Sequence, residues 1–161
     1  MKKLILGLVL IGVMVMGTAV PVSAAQPVPA SGDFEAIVDF STLTLRPVGA
    51  NCLLEVSGVL VFSGTLEGEA PAHTRALVGA PCDDVGNTPP GTFADLFMSE
   101  LEFTGTADGV PATADMTYQG ITKVGGEIEA KLLLSHGLTG VLDVDAIVAV
   151  GGSYDGFIHL H

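Results

Sequence analysis

Short segments in which apolar and polar residues alternate, each ended by a turn rich in glycine, restrict the fold of this chain more than any other feature. Side chains alternate between the two faces of a β-strand, so a period of two predicts strands with one buried face. Within residues 96–106, Leu101 and Phe103 share one face, and Glu100 and Glu102 share the other. The predicted strands span residues 34–40, 52–65, 72–78, 96–106, 112–122, 127–134, 139–150 and 153–161.

Turn signals between these segments predict how the strands connect. The pair Asp108-Gly109 is typical of a tight hairpin, and the glycine pairs at 125–126 and 151–152 predict two more turns. The segment EIEAKLLLS at 127–135 has helical propensity, but it lies between two glycine-rich turns and is too short for a stable helix. About eight strands with regular turns predict an all-β sandwich or barrel. The meander favours a single antiparallel up-and-down β-barrel, because closure removes exposed strand edges.

The beginning of the chain has the pattern of a secretory signal peptide. Two lysines precede an apolar run at 4–16, and small residues at 22–25 predict the cleavage site. An uncleaved membrane anchor is the alternative, but the run is shorter than the roughly 20 residues that a spanning helix needs. We therefore expect a signal peptide at 1–25, a flexible lead-in at 26–32 and a β-barrel domain at 33–161 in a secreted or periplasmic protein.

The charge of the chain argues against two classes of partner. The sequence has 6 basic and 18 acidic residues, a formal net charge of −12. Without the two lysines of the signal peptide, 4 basic residues stand against 18 acidic ones, a net charge of −14. So strong a negative field repels phosphate backbones and anionic lipids, and we expect neither nucleic acid nor an anionic membrane as a partner.

Acidic residues recur two positions apart at four places along the chain. Such pairs point to one face of a strand, which predicts a solvated outer face around an apolar interior. Divalent-cation binding by the carboxylates is the alternative. The pairs are Glu67/Glu69, Glu100/Glu102, Glu127/Glu129 and Asp143/Asp145.

The two cysteines, Cys52 and Cys82, suit an oxidising compartment. An even number of cysteines in an exported chain predicts a disulfide, and two free thiols are the alternative. The bond would attach the loop at 79–92, which is rich in Gly, Pro, Asn and Asp, to the body of the domain. The sequence contains no C-x-x-C motif, so nothing in it predicts redox catalysis.

The second half of the chain carries a family resemblance. The stretches GTLEGEA and FTGTADG, a Gly-Gly hairpin and the closing LTGVLDVDAIVAVGGSYDGFIHL together resemble small bacterial proteins of an uncharacterised family, a domain of unknown function with an allene-oxide-cyclase-like β-barrel. The resemblance covers about residues 58–161. It implies an eight-stranded, calycin-like barrel and no established activity. The closing segment matches at Gly151, Gly152, Tyr154, Gly156 and His159.

Three residues are candidates for ligand binding. His73 and Arg75 share a face of the strand at 72–78. Facing inward, they could hold a polar or anionic group of a ligand, whereas facing outward they would form ion pairs with neighbouring acids. Tyr118 either packs in the core or lines a pocket. The sequence contains no nucleophile elbow and no phosphate-binding glycine motif, and we predict no catalytic residues, no metal and no cofactor.

Three functions remain open for such a barrel, because eight strands either fill their interior with side chains or hold one small ligand. The leading hypothesis is an exported, non-catalytic barrel that binds a small apolar or amphipathic molecule. The alternatives are a cyclase- or isomerase-like enzyme, by analogy of fold alone, and a structural or surface-interaction protein with a filled interior. A cavity with one or two polar groups would favour the first two, and an acid or histidine with a shifted pKa inside it would favour the enzyme.

Overall fold

The computed structural model describes residues 26–160, and the predicted signal peptide at 1–25 lies outside the described residues. Eight antiparallel strands form a closed barrel in which each strand pairs with the next and the last pairs with the first. The prediction of an all-β up-and-down barrel is confirmed. The elements are β1 (Val28–Val48), β2 (Asn51–Gly64), β3 (Leu66–Val78), α1 (Cys82–Val85), β4 (Asp95–Ala107), β5 (Val110–Thr122), β6 (Glu127–Ser135), β7 (Thr139–Ile147) and β8 (Gly151–His159).

Burial alternates along the strands with the predicted period of two. In β4, Leu101 and Phe103 are buried, whereas Glu100 and Glu102 are exposed. All four acidic pairs lie on the outer surface, which confirms the solvated outer face. Within residues 26–160, no group of three or more His, Cys, Asp or Glu side chains could hold a metal ion, and no helix is long and apolar enough to cross a bilayer.

The first strand differs from its prediction. Residues 28–32 were expected to belong to a flexible lead-in, but they form the start of β1 and pair with β8, from Val28 opposite Ile158 to Gly32 opposite Tyr154. That expectation is wrong for these residues. The physical reason is closure: β8 needs a partner on its free edge, and the 21 residues of β1 are enough to pair with both β8 and β2.

The predicted turns at 108–109 and 125–126 are present between strands. The predicted turn at 151–152 lies three residues earlier, at 148–150, and Gly151 is the first residue of β8. A Cβ atom on Gly151 would lie 2.1 Å from the carbonyl oxygen of Phe34, so this glycine allows β8 to approach β1 closely. In this hairpin the glycine pair marks a strand contact, not the turn itself.

The barrel has two unlike ends, which we call the closed end and the open end. At the closed end large side chains fill the interior: Phe62 and Phe103 are at most 3% exposed, and their ring centroids lie 5.8 Å apart. The Tyr154 hydroxyl accepts a hydrogen bond from the Leu66 amide at 2.9 Å and lies 3.1 Å from the Ser63 carbonyl oxygen, to which it donates. The connections at the open end span residues 49–50, 79–94, 123–126 and 148–150.

Candidate functional site

A cavity of about 370 Å³ occupies the barrel interior at the open end. This volume lies in the lower part of the range of roughly 300–1,000 Å³ that is typical of small-molecule sites. Side chains with small volumes create the space, among them Ala36, Ala72 and Ala76. The larger apolar side chains of the wall include Phe34, Leu54, Val56, Val78, Phe97 and Ile128.

The loop at 79–94, which we call the covering loop, forms part of the cavity wall through residues 85–93. The disulfide between Cys52 and Cys82 joins it to β2, which confirms the predicted bond. On its other side the loop meets the β5–β6 turn, where the Gly125 amide donates to the Gly91 carbonyl at 2.9 Å. A Cβ atom on Gly91 would lie 2.6 Å from the Cα of Gly126, so glycine is required for this contact.

A bulge in β1 shapes another part of the cavity mouth. The pairing of β1 with β2 is interrupted between Asp39 and Thr44. The Asp39 carboxylate accepts hydrogen bonds from the amide and hydroxyl of Ser41, at 3.0 and 2.6 Å, and so fixes the bulge. Ile37 and Phe40 line the cavity and are each 54% exposed, which gives the mouth an apolar lip. Apolar surface that faces both the cavity and the solvent is typical of a ligand entrance.

Polar side chains interrupt the apolar wall on β3, β4 and β5. Thr74 and Ser99 hydrogen-bond each other through their hydroxyl oxygens at 2.7 Å and are thereby satisfied. Asp95, at the start of β4, is not fully satisfied, because its Oδ1 atom is buried and has no hydrogen-bond partner. Burial raises the pKa of Asp95 from 3.8 to about 6, although a hydrogen bond with the Thr122 side chain opposes the shift.

Tyr118 is the second cavity residue with an unpartnered polar atom. The residue is 7% exposed, and its hydroxyl has no hydrogen-bond partner. Its ring lies 4.9 Å from the ring of Phe97 and 6.0 Å from the ring of Phe34, both in edge-to-face geometry. Burial raises the pKa of the Tyr118 hydroxyl, so the group stays neutral and offers one donor and acceptor lone pairs.

The structure separates the three candidate ligand residues. Tyr118 lines the cavity, whereas His73 and Arg75 alternate on β3 with the cavity residues Thr74 and Ala76 and therefore lie on the outer face. The Arg75 guanidinium pairs with the Glu55 carboxylate at 3.3 Å, and its side chain is 53% exposed. The outward alternative, ion pairing with neighbouring acids, thus describes Arg75.

Sequence reasoning missed Asp95, although the alternation of β4 contains a signal for it. Asp95 lies in phase with Phe97, Ser99, Leu101 and Phe103, the inward-facing residues of the strand. A carboxylate in phase with buried positions is unusual, because an unpaired charge is costly away from water. The predicted strand began at residue 96, one residue too late to include this position in the pattern.

Comparisons with known proteins place the fold but not the activity. No protein-family model and no curated protein matches the sequence. Among solved structures, the chain is similar to a protein of unknown function from the DUF3224 family of Shewanella oneidensis MR-1, with 14% sequence identity and a TM-score of 0.57. The match covers 84% of this chain and 99% of that protein. The barrel predicted by resemblance, that of an uncharacterised bacterial domain of unknown function, is therefore the fold that this chain shares with its structural neighbour.

Proposed function

We propose that this protein is a non-catalytic barrel that binds one small, largely apolar molecule with a polar group, in the cavity at the open end. One observation supports this most directly: the Tyr118 hydroxyl is buried against an apolar cavity and has no partner. A buried polar group without a hydrogen bond costs about 1–3 kcal/mol. A ligand that supplies the missing partner recovers this energy, and its apolar part gains from leaving water.

The two ends of the barrel support a binding role over a purely structural one. A structural protein with a filled interior would have large side chains at inward positions throughout. Here the closed end is filled around Phe62, Phe103 and Tyr154, whereas the open end leaves about 370 Å³ free. The covering loop, which forms part of the cavity wall, is joined to the barrel by a disulfide and by backbone hydrogen bonds.

The protein acts outside the cytoplasm in this proposal, as a secreted or periplasmic protein. The signal-peptide pattern at 1–25 supports export, and the Cys52–Cys82 disulfide is compatible with an extracellular protein. The proposal includes neither nucleic acids nor anionic membranes as partners, because the net charge of −12 for the whole chain repels both.

Asp95 favours a second candidate function, an isomerase-like enzyme. A carboxyl group whose pKa is raised to about 6 in an apolar cavity can both take and return a proton near neutral pH. In such a reaction Asp95 would remove a proton from one carbon of the bound molecule and return it to another, so no co-reactant is needed. The two candidates differ in outcome, because a binding protein releases its ligand unchanged.

Native mass spectrometry of the protein produced from its full-length sequence tests the proposal. We expect a co-purified small molecule, or binding of a neutral probe such as 2-phenylethanol in calorimetry. Ala72→Phe should abolish binding, since the ring would occupy the cavity. The matched control Thr104→Phe adds the same ring on the outer face and should leave binding unchanged. The absence of both a co-purified molecule and probe binding would contradict the proposal, and chemical conversion of the recovered molecule would establish the enzyme instead.

A further inference from the structure

We propose that the molecule bound in the cavity is a lipophilic cation, a small apolar skeleton with a protonated amine that pairs with Asp95. This inference rests on the proposed binding function and names the ligand class of the same cavity. It depends on the charges that line the cavity, on the unpartnered oxygen of Asp95 and on the aromatic wall.

Asp95 is the only charged side chain that lines the cavity within the described part of the chain. Its register neighbours, Val78 on β3 and Thr122 on β5, have no charge to offer. Two cations close to these neighbours along the chain are engaged outside the barrel: Arg75 of β3 pairs with Glu55, and Lys123 of the β5–β6 turn pairs with Glu129. No positive side chain in the cavity therefore neutralises Asp95, and a cationic ligand could do so.

An anionic ligand, such as a fatty acid, meets the opposite situation. Its carboxylate would enter a cavity whose one charged group is negative, in a protein with a net charge of −12. Like charges that approach in a partly desolvated site repel strongly. The negative charge of the cavity therefore favours apolar cations over apolar anions of the same size and shape.

The chemistry of the two unpartnered atoms suits an amine. The Oδ1 atom of Asp95 can only accept a hydrogen bond when the carboxylate is ionised, and an ammonium group donates three. Because the pKa of Asp95 is about 6, the carboxylate is ionised at pH 7.5. The pair would be a charge-assisted hydrogen bond, which is stronger than a neutral one. The Tyr118 hydroxyl is a further acceptor in the same cavity.

The aromatic wall adds a second attraction for a cation. The rings of Phe34, Phe97 and Tyr118 line the cavity and pack against one another edge to face. The faces of aromatic rings are electron-rich and attract ammonium groups as well as the apolar part of a ligand. Asp95 is only partly buried and lies at the start of β4, at the open end, so an ammonium group there would keep part of its hydration.

Calorimetry with three molecules that differ only in their polar end tests this inference. The probes are 2-phenylethylamine, 2-phenylethanol and phenylacetate, measured at pH 7.5 and physiological salt. We expect the amine to bind about tenfold or more tightly than the alcohol, since hydrogen bonds to charged groups are the stronger class, and phenylacetate to bind weakest. Asp95→Asn should bring the ratio of amine to alcohol affinity close to one.

Two comparisons make the outcome decisive. Glu102→Gln removes one negative charge from the outer face of the same strand and should keep the preference for the amine. A preference that survives Asp95→Asn would overturn the inference, because it would come from the acidic outer surface. Equal binding of amine and alcohol to the wild-type protein would also overturn it while the proposed function stands. Binding of none of the three probes would overturn the inference, and together with the absence of a co-purified molecule it would contradict the proposed function itself.

Discussion

The two tyrosines of this protein occupy the two ends of one barrel and experience opposite conditions. The Tyr154 hydroxyl is bonded to backbone groups of Leu66 and Ser63 and fastens the closed end. The Tyr118 hydroxyl has no partner beside the cavity. The alternation of inward and outward residues is the same at both ends, whereas the connections, the volumes of the inward side chains and the satisfaction of polar groups differ. The closed end contributes to the stability of the fold, whereas the open end keeps an unfilled cavity at a cost in stability.

Truncation of a large core residue should affect the two ends unequally. Phe103→Ala at the closed end removes a ring that is 1% exposed and leaves a void in a filled core, so we expect a loss of about 3–5 kcal/mol in the free energy of unfolding. Leu54→Ala, on the half-buried wall of the cavity, should cost roughly 1–2 kcal/mol, because that side chain already faces free volume. Chemical denaturation followed by circular dichroism measures both. Equal losses would show that the open end is packed as tightly as the closed end.

Removal of the disulfide should loosen the open end alone. Cys52→Ser opens a bond between residues 30 positions apart, which corresponds to roughly 3 kcal/mol in the chain-entropy account. We expect a lower melting temperature and a recognisable β-barrel spectrum. Hydrogen exchange should become faster in the covering loop, while the amides of the closed end keep their relative order of protection. Titration of two free thiols in the exported, unreduced wild-type protein would refute the bond itself.

Deletion of each tyrosine hydroxyl gives the most direct comparison of the two ends. Tyr154→Phe leaves the Leu66 amide and the Ser63 carbonyl without their partner, so we expect a loss of about 1–3 kcal/mol. Tyr118→Phe removes an unsatisfied hydroxyl and should leave stability unchanged or raise it by up to about 1 kcal/mol. Thermal unfolding of the two variants, without added ligand, measures both changes in stability. A clear loss of stability in Tyr118→Phe would mean that the hydroxyl has a partner in solution.

The sequence predicted the strands of the barrel better than it predicted whether the interior of the barrel is filled. The alternation around Leu101 and Phe103 defines which face of a strand is inside, because a one-residue change of phase exchanges the two faces. Whether the inside is full depends on the volumes of inward residues from different strands, such as Ala36, Ala72 and Ala76, and on which of them meet at one level. That arrangement follows from strand tilt and stagger, which a local pattern does not contain.

Two residues show where local rules gave a wrong or incomplete answer. Pro29 favoured a flexible lead-in, since proline weakens strands, yet closure of the barrel pairs it with Phe157 of β8. Asp95 belongs to the inward phase of β4, but the predicted strand began at residue 96 and left it out. For Pro29, the need of β8 for a partner strand outweighs the low strand preference of proline. For Asp95, an inward position beside the cavity outweighs the preference of a charged side chain for solvent.

Substitution of Asp95 gives the smallest predicted change in stability, and this change is the one most specific to the open end. Its pKa is raised from 3.8 in the unfolded chain to about 6 in the folded protein by burial. Well below pH 3.8 the carboxyl is protonated in both states, so Asp95→Asn should bring no gain there. As the pH rises from about 4 to 6, the unfolded chain releases a proton that the folded protein retains, and the wild type loses stability relative to the variant.

Above pH 6 this difference should be complete and constant. We expect about 1 kcal/mol in favour of Asp95→Asn, a value reduced for solvent screening because Asp95 is only partly buried. Other acids shift the stability of both proteins alike, so the difference between the two denaturation curves isolates this one carboxyl group. Glu102→Gln, on the outer face of the same strand, is the matched control and should show no such step. If the advantage of Asp95→Asn were the same at pH 3.5 and pH 7.5, the substitution would act through packing, and the open end would not hold a carboxylate at a cost in stability.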